Sequence, residues 1–166
     1  MEIFTIYEDE ILSNLNNGDS TNLIESIKEM IKDGKVVNLL SSLEKLLLES
    51  ASFHDSTGGF HHGLMFALCI IASRNYNVTS NRESGYGRYD IMMMPKNKSL
   101  PGIIIEIKTS KKCSPTQLKT LAKTALKQIE EEKYDTEMLQ NNIRTIYKFG
   151  IAFSGKHVAI EKAITV

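Results

Sequence analysis

The chain has no tryptophan, three prolines and two cysteines among 166 residues, no net charge and no long apolar run. Each shortage excludes something. Cys69 and Cys113 are too few for a disulfide scaffold and lack metal-ligand spacing, so the chain reads as a reduced, cytoplasmic protein. No apolar stretch approaches the ~20 residues of a membrane span, and Met1-Glu2-Ile3 opens no signal peptide. Zero net charge argues against a generic polyanion binder held by overall electrostatics. What remains is globular: 42% hydrophobic and 24% charged residues in a length that predicts one domain.

The neutral sum hides an uneven distribution. Residues 1–50 carry ten acids and four bases, a net of −6, and residues 51–95 balance at three each. Residues 96–128 carry eight lysines against Glu106 alone, a net of +7, and residues 129–166 return −1. Such a basic run is either a solvated helix face or a contact surface for phosphates, and binding is decided locally rather than by the total.

Residues 1–50 read as a helical N-terminal extension. Asp19 or Ser20 caps a helix whose Leu23, Ile24, Ile27, Met30 and Ile31 recur at helical spacing, with Gly34 as its stop. Residues 36–49 carry a wide leucine stripe, Leu39, Leu40, Leu43, Leu46 and Leu47. A third helix starts near Asp55-Ser56-Thr57 and runs to Ala72, apolar all round and so expected at the centre of the core. Residues 51–166 read as that core. The period then changes to two: residues 89–94 form a strand stopped by Pro95-Lys96-Asn97, and residues 102–108 form the clearest strand in the chain. Met92, Met93 and Met94 read as core filler. Ser114-Pro115-Thr116-Gln117 starts a helix that runs to about Lys133, with Ser as cap and Gln three residues on. Two strands, near residues 145–153 and 157–164, flank a Ser154-Gly155-Lys156 turn. This order makes an α/β or α+β layered domain.

The chemistry concentrates on the strand at 103–108. Ile103, Ile105 and Ile107 share one face; Ile104, Glu106 and Lys108 share the other. A carboxylate and an ammonium on a buried strand are either a structural ion pair or part of a metal site. Asp90 weighs on that choice. The turn between Pro95 and Pro101 brings it beside Glu106 in an antiparallel pair, where two like charges need a cation. Two hard oxygens, water and a substrate phosphate are what Mg²⁺ (or Mn²⁺) accepts, and Lys108 beside them can assist an attacking water or the growing phosphate charge. On the following helix Leu118, Leu121, Ala125 and Gln128 share a face, so Gln128 points inward, as a buried amide or as part of the site.

Asp90 followed by Glu106-Ile107-Lys108 resembles the motif of the PD-(D/E)XK nuclease superfamily. Residues 80–90, 103–108, Ala125-Leu126-Lys127-Gln128-Ile129 with Tyr134, and residues 149–156 resemble the version of that domain found at the C-terminus of bacterial AAA-ATPase-like proteins. The likeness covers about residues 50–164 and implies a restriction-endonuclease-like αβββαβ core, a mixed sheet flanked by helices. It implies Asp90 and Glu106 as metal-binding acids, Lys108 as the catalytic lysine and Gln128 as a residue that completes the site. Tyr134 reads as packing. Further candidates are Glu83, which equally suits pairing with Arg82 or Arg88, then Arg88 itself, and His62. Relatives tend to carry an acid just before the aromatic-His pair of the central helix, where this chain has Gly59. The resulting expectation is a Mg²⁺-dependent deoxyribonuclease of little sequence specificity, with Lys111, Lys112 and Lys119 on the DNA backbone. The alternative is a catalytically weak module that binds DNA or a protein partner. A separate ATPase or a homo-oligomer is the expected partner, and no membrane.

Overall fold

The computed structural model describes residues 20–49 and 58–166. Two helices come first, α1 (Ser20–Asp33) and α2 (Val37–Glu49), then α3 (Gly58–Ala72). Strand β1 (Tyr76–Ser80) follows, then a small hairpin of β2 (Glu83–Ser84) and β3 (Gly87–Arg88), then β4 (Ile91–Pro95) and β5 (Gly102–Thr109). Helix α4 (Pro115–Glu131), the short α5 (Thr136–Gln140), and strands β6 (Ile146–Ser154) and β7 (His157–Thr165) complete the chain. The main sheet has the order β1-β4-β5-β6-β7. Only the β5–β6 neighbours are parallel, so the sheet is mixed, and α4 is the crossover that joins them. Without the small hairpin and α5, the order from α3 to β6 is the expected αβββαβ. Among the described residues no helix is long and apolar enough to cross a membrane.

The alternation of side chains makes three layers. Ile91, Met93, Ile103, Ile105, Phe149, Ile151 and Phe153 bury one sheet face in a cluster with α1, α2 and α3. The opposite face carries Met92, Ile104 and Ile146 against Ile129, Tyr134 and Met138, and Ala152 against Leu118 and Ala122 of α4. Met92 and Met93 thus fill opposite sides of one strand, as filler should. Gly34 ends α1 in the left-handed region, its N–H bonded to the Met30 carbonyl at 3.0 Å. Ser114 and Gln117 form the expected capping box at the start of α4.

Two expectations need correction, and one strand is not anticipated by the sequence pattern. The strand at 89–94 begins only at Ile91, because Asp90 sits beyond the last β4–β5 pair, Ile91 with Ile105. β1 has no clear signal in the sequence: Tyr-Asn-Val-Thr-Ser is a half-exposed edge strand of mostly polar residues. Helix α3 is not buried all round; Leu64, Met65, Leu68 and Cys69 are buried but Ile70 faces solvent. The expected start of that helix at Asp55-Ser56-Thr57 lies outside the described residues, as does Asp19.

Gly150 sets how close α4 comes to the sheet. A Cβ there would collide with the Ala122 carbonyl and the Leu126 amide, which are helix backbone and have nowhere to go. Gly150→Ala is therefore expected to cost roughly 1–3 kcal/mol or more in urea denaturation. Gly63→Ala, in α3 with nothing within 4 Å of the added methyl, is expected to stabilise by roughly 0.5–1 kcal/mol.

Candidate active site

The site grows out of the register of β4 and β5. Ile91 pairs with Ile105 and Met92 with Ile104, so one residue further Asp90 falls opposite Glu106 on the α4 face. At that point the ladder has ended, and the Asp90 carboxylate takes its place: Oδ2 accepts the Ile107 N–H at 2.7 Å. On the other side of β5, Glu106 pairs with Gly150 of β6, whose missing side chain lets α4 close over the row. The result is a carboxylate that is 4% exposed, with a second carboxylate beside it.

The electrostatics follow from that placement. Burial, with the Asp90 charge adding to it, raises the Glu106 carboxyl to about 7. The Lys108 ammonium and the Asp90 backbone amide pull it back only in part. Burial also raises Asp90, against the Ile107 N–H, His62 and Lys108. Glu106 Oε1 accepts from Lys108 Nζ at 3.2 Å, while Glu106 Oε2 is buried with no hydrogen-bond partner among the described residues. An orphaned buried oxygen next to a second acid fits a hard divalent cation, which Asp90 and Glu106 are placed to hold. Among the described residues no group of three or more His, Cys, Asp or Glu assembles, so water and substrate would complete the shell.

Lys108 is the junction of the site. Its ammonium donates to Glu106 and to the Gln128 Oε1 of α4. Gln128 lies at the margin of the buried helix stripe, which runs through Leu118, Ala122, Ala125 and Ile129. That marginal position is what lets its amide reach Lys108 rather than the core. The ammonium, a donor only, requires the amide oxygen, and the Nε2 then donates to the Tyr134 hydroxyl at 2.9 Å, which anchors the amide from its other end. Tyr134, read from the sequence as packing, is 1% exposed and does pack, edge-on to Tyr89 with centroids 6.3 Å apart. It also orients Gln128, a role that only its position beside a candidate Gln could have suggested.

The structure brings Asp90, Glu106, Lys108 and Gln128 together. His62 stands next to them, with Nε2 at 3.2 Å from the Asp90 backbone carbonyl and 3.0 Å from Ser80 Oγ. With its proton on Nε2 it supports the Asp90 backbone. His61 points elsewhere, stacked on Phe153 at 4.3 Å, where burial lowers it to about 4. Glu83 and Arg88 face each other across the β2–β3 hairpin, both exposed, and neither is hydrogen-bonded or ion-paired to the carboxylate pair. Gly59 is exposed in the first turn of α3. Lys111 and Lys112 are exposed just beyond the end of β5 that carries Lys108. Lys119 reaches Glu161 of β7 at 4.0 Å, on the far side of the sheet from β4.

A mixed five-stranded sheet with a crossover helix and an Asp…Glu-x-Lys cluster at one edge of its central strand defines a restriction-endonuclease-like protein. The model of the PD-(D/E)XK nuclease superfamily matches residues 57–163, and the chain belongs to that superfamily. Its members typically use divalent metals. No curated protein matches the chain at a significant level.

The raised Glu106 has a measurable consequence in the metal-free protein. Native Glu106 keeps its proton up to about pH 7, whereas the unfolded chain releases it near 4.5. Between these values the native state binds more protons, so this group's contribution to stability falls as pH rises. His61, lowered from 6.5 to about 4, acts with the opposite sign over an overlapping range, so the difference from a Glu106 variant isolates the effect. In EDTA, Glu106→Gln is expected to exceed wild type in unfolding free energy by about 2–3 kcal/mol at pH 8, with the gap closing toward pH 4.5. A gap that does not change with pH would contradict the assignment.

Proposed function

We propose that the chain is a Mg²⁺- or Mn²⁺-dependent nuclease that hydrolyses DNA phosphodiester bonds with little sequence specificity. The observation that carries this reading is the Asp90–Glu106 pair, with its orphaned Glu106 oxygen and Lys108 alongside. Asp90 and Glu106 would hold the ion, which when bound supplies Lewis-acid stabilisation of phosphate charge and a more acidic water. Gln128 and Glu106 hold the Lys108 ammonium at the cluster, poised to orient the attacking water or to offset charge growing on the phosphate. Tyr134 keeps the Gln128 amide turned toward it. Exposed Lys111 and Lys112, at the same end of β5, are suited to the phosphate backbone, and Lys119 to a longer strand reaching toward β7. Contacts of that kind carry no base information, hence the low specificity.

Among the described residues no third acid joins the cluster, which favours a second reading, a nuclease-fold module that binds DNA or a protein partner with little turnover. A separate ATPase, or a second copy of the chain, is the partner we propose for either reading.

Cleavage of plasmid and linear DNA in Mg²⁺ or Mn²⁺ separates the two. Wild type is expected to cut, Asp90→Ala to lose activity, and Lys108→Ala to slow by about 10²- to 10³-fold. Equal residual cleavage in all three proteins would remove the enzyme reading. Retardation of DNA that survives Asp90→Ala, with no wild-type cleavage, would favour the binding module.

A further inference from the structure

The small hairpin between β1 and β4 takes no part in the main sheet, yet it is fastened firmly beside the site. The Tyr86 N–H donates to the Glu132 carbonyl and Ser84 Oγ to the Tyr134 carbonyl, both at 2.8 Å. Gly85, at φ 63°, lies so close under the Glu132 and Lys133 carbonyls that no side chain would fit. A Cβ at Gly87 would stand 3.2 Å from the Tyr134 hydroxyl, the same hydroxyl that orients Gln128. The turn is thus held in place, with Tyr134 and Gln128 linking it to Lys108.

What this turn presents is an aromatic ring. Tyr86 is 75% exposed, where a buried or even half-buried position would be the economical use of a tyrosine. The Lys133 ammonium sits 5.3 Å from the ring centroid. Lys133 holds that position at a cost. It occupies the left-handed position of a Schellman end to α4, with φ 52°, where glycine would be free of strain; the Tyr134 N–H bonds to the Ile129 carbonyl and the Lys133 N–H to that of Glu130. Arg82 and Arg88 are exposed at the base of the hairpin and make no ion pair among the described residues. Two acids share the neighbourhood, Glu83 opposite Arg88 and Glu132 beside Gly87, so three cations face two anions.

We infer that Tyr86 is a stacking platform for an unpaired base, with Lys133, Arg82 and Arg88 on the flanking phosphates, so that the site takes single-stranded DNA or the frayed end of a duplex. The inference rests on the nuclease reading of the site and names its substrate class. An exposed ring flanked by cations is the arrangement that binds single strands without base preference, because every base has a face to stack. A base within a duplex is already stacked on both sides and gains nothing from the ring.

The test uses the whole chain in EDTA, without turnover, with fluorescein-labelled oligothymidylate and a duplex of equal length as probes read by anisotropy. Tyr86→Ala is expected to weaken oligothymidylate binding by about 5- to 150-fold. Tyr86→Trp should restore it, and duplex affinity should change less than about twofold in either variant. Because Tyr86 is a surface side chain, both variants should unfold on the wild-type curve, which separates loss of contact from loss of fold. Oligothymidylate affinity that is equal in wild type and Tyr86→Ala, an equal loss on duplex, or no single-strand binding by wild type would each overturn the inference. Tyr86-dependent binding without cleavage in Mg²⁺ would sink the nuclease reading alone. Cleavage with Tyr86-independent binding would sink this one alone.

Discussion

Two facing carboxylates, Asp90 just ahead of β4 and Glu106 on β5, the second of them sealed from water, set the terms for everything around them. The register that pairs Ile91 with Ile105 leaves Asp90 opposite Glu106 with no room to avoid it. Burying an ionised carboxylate costs several kcal/mol, and a like charge beside it adds to that cost. The protein supplies partial compensation only: the Ile107 N–H for Asp90, and Lys108 with the Asp90 amide for Glu106. One oxygen of Glu106 has no hydrogen-bond partner among the described residues. A fold stabilised for its own sake would place an apolar residue there, as Ile104 is placed two residues earlier on the same face. The incomplete compensation makes sense as room for a cation.

Helix α4 and the corner that follows it turn this pair into an ordered site. Gly150 allows the helix backbone to lie directly on the sheet, which both lowers the local dielectric and brings Gln128 within reach of Lys108. The corner is held by Lys148, which is 2% exposed and paired with Asp135 at 2.8 Å and Glu130 at 3.0 Å. A buried lysine with two carboxylates adds little net stability over an apolar residue, but losing Asp135 would leave the charge with only the half-exposed Glu130. That makes it a locating device rather than an adhesive. It fixes the corner bearing Tyr134, and from Tyr134 a continuous line of hydrogen bonds runs through Gln128 and Lys108 to Glu106. The hairpin closes the line from the other side through the Tyr134 carbonyl.

Much of this is legible in the chain because it is local. The alternation over residues 103–108 assigns Glu106 and Lys108 to one face, and the Ser114–Gln117 box marks the start of α4 where the structure has it. The helical stripe turns Gln128 inward for the same reason. What stays hidden depends on chain reversal. Tyr134 is six residues beyond Gln128, and helical spacing would not bring the two together; Lys133 turns the chain through the left-handed region and folds the tyrosine back. Lys148 sits in a strand with partners supplied from the far end of another element, so its sequence neighbours give no hint that it is buried. β1 is hidden for a different reason, since an edge strand that meets water on much of its surface need not be apolar.

The zero net charge looks different once the layers are known. The acids of α1 and α2, among them Glu25, Glu29, Asp33, Glu44 and Glu49, belong to helices packed on one face of the sheet. The carboxylate pair and Lys108 lie on the other face, under α4. Five strands and their buried side chains stand between the two, and charges on opposite sides of a domain are further apart than the ~8–10 Å over which physiological salt screens them. A ligand at the site therefore responds to the lysines, arginines and carboxylates near it and very little to the acids behind the sheet. The +7 of residues 96–128 is itself divided: Lys96 and Lys98 lie in the turn before β5, at the opposite end of that strand from Lys108, while Lys119 and Lys127 each have a carboxylate partner. Counting charge along the chain thus overstates the attraction at the site as much as the total of zero understates it. The local set around β5, the hairpin and the end of α4 is what a phosphate would meet.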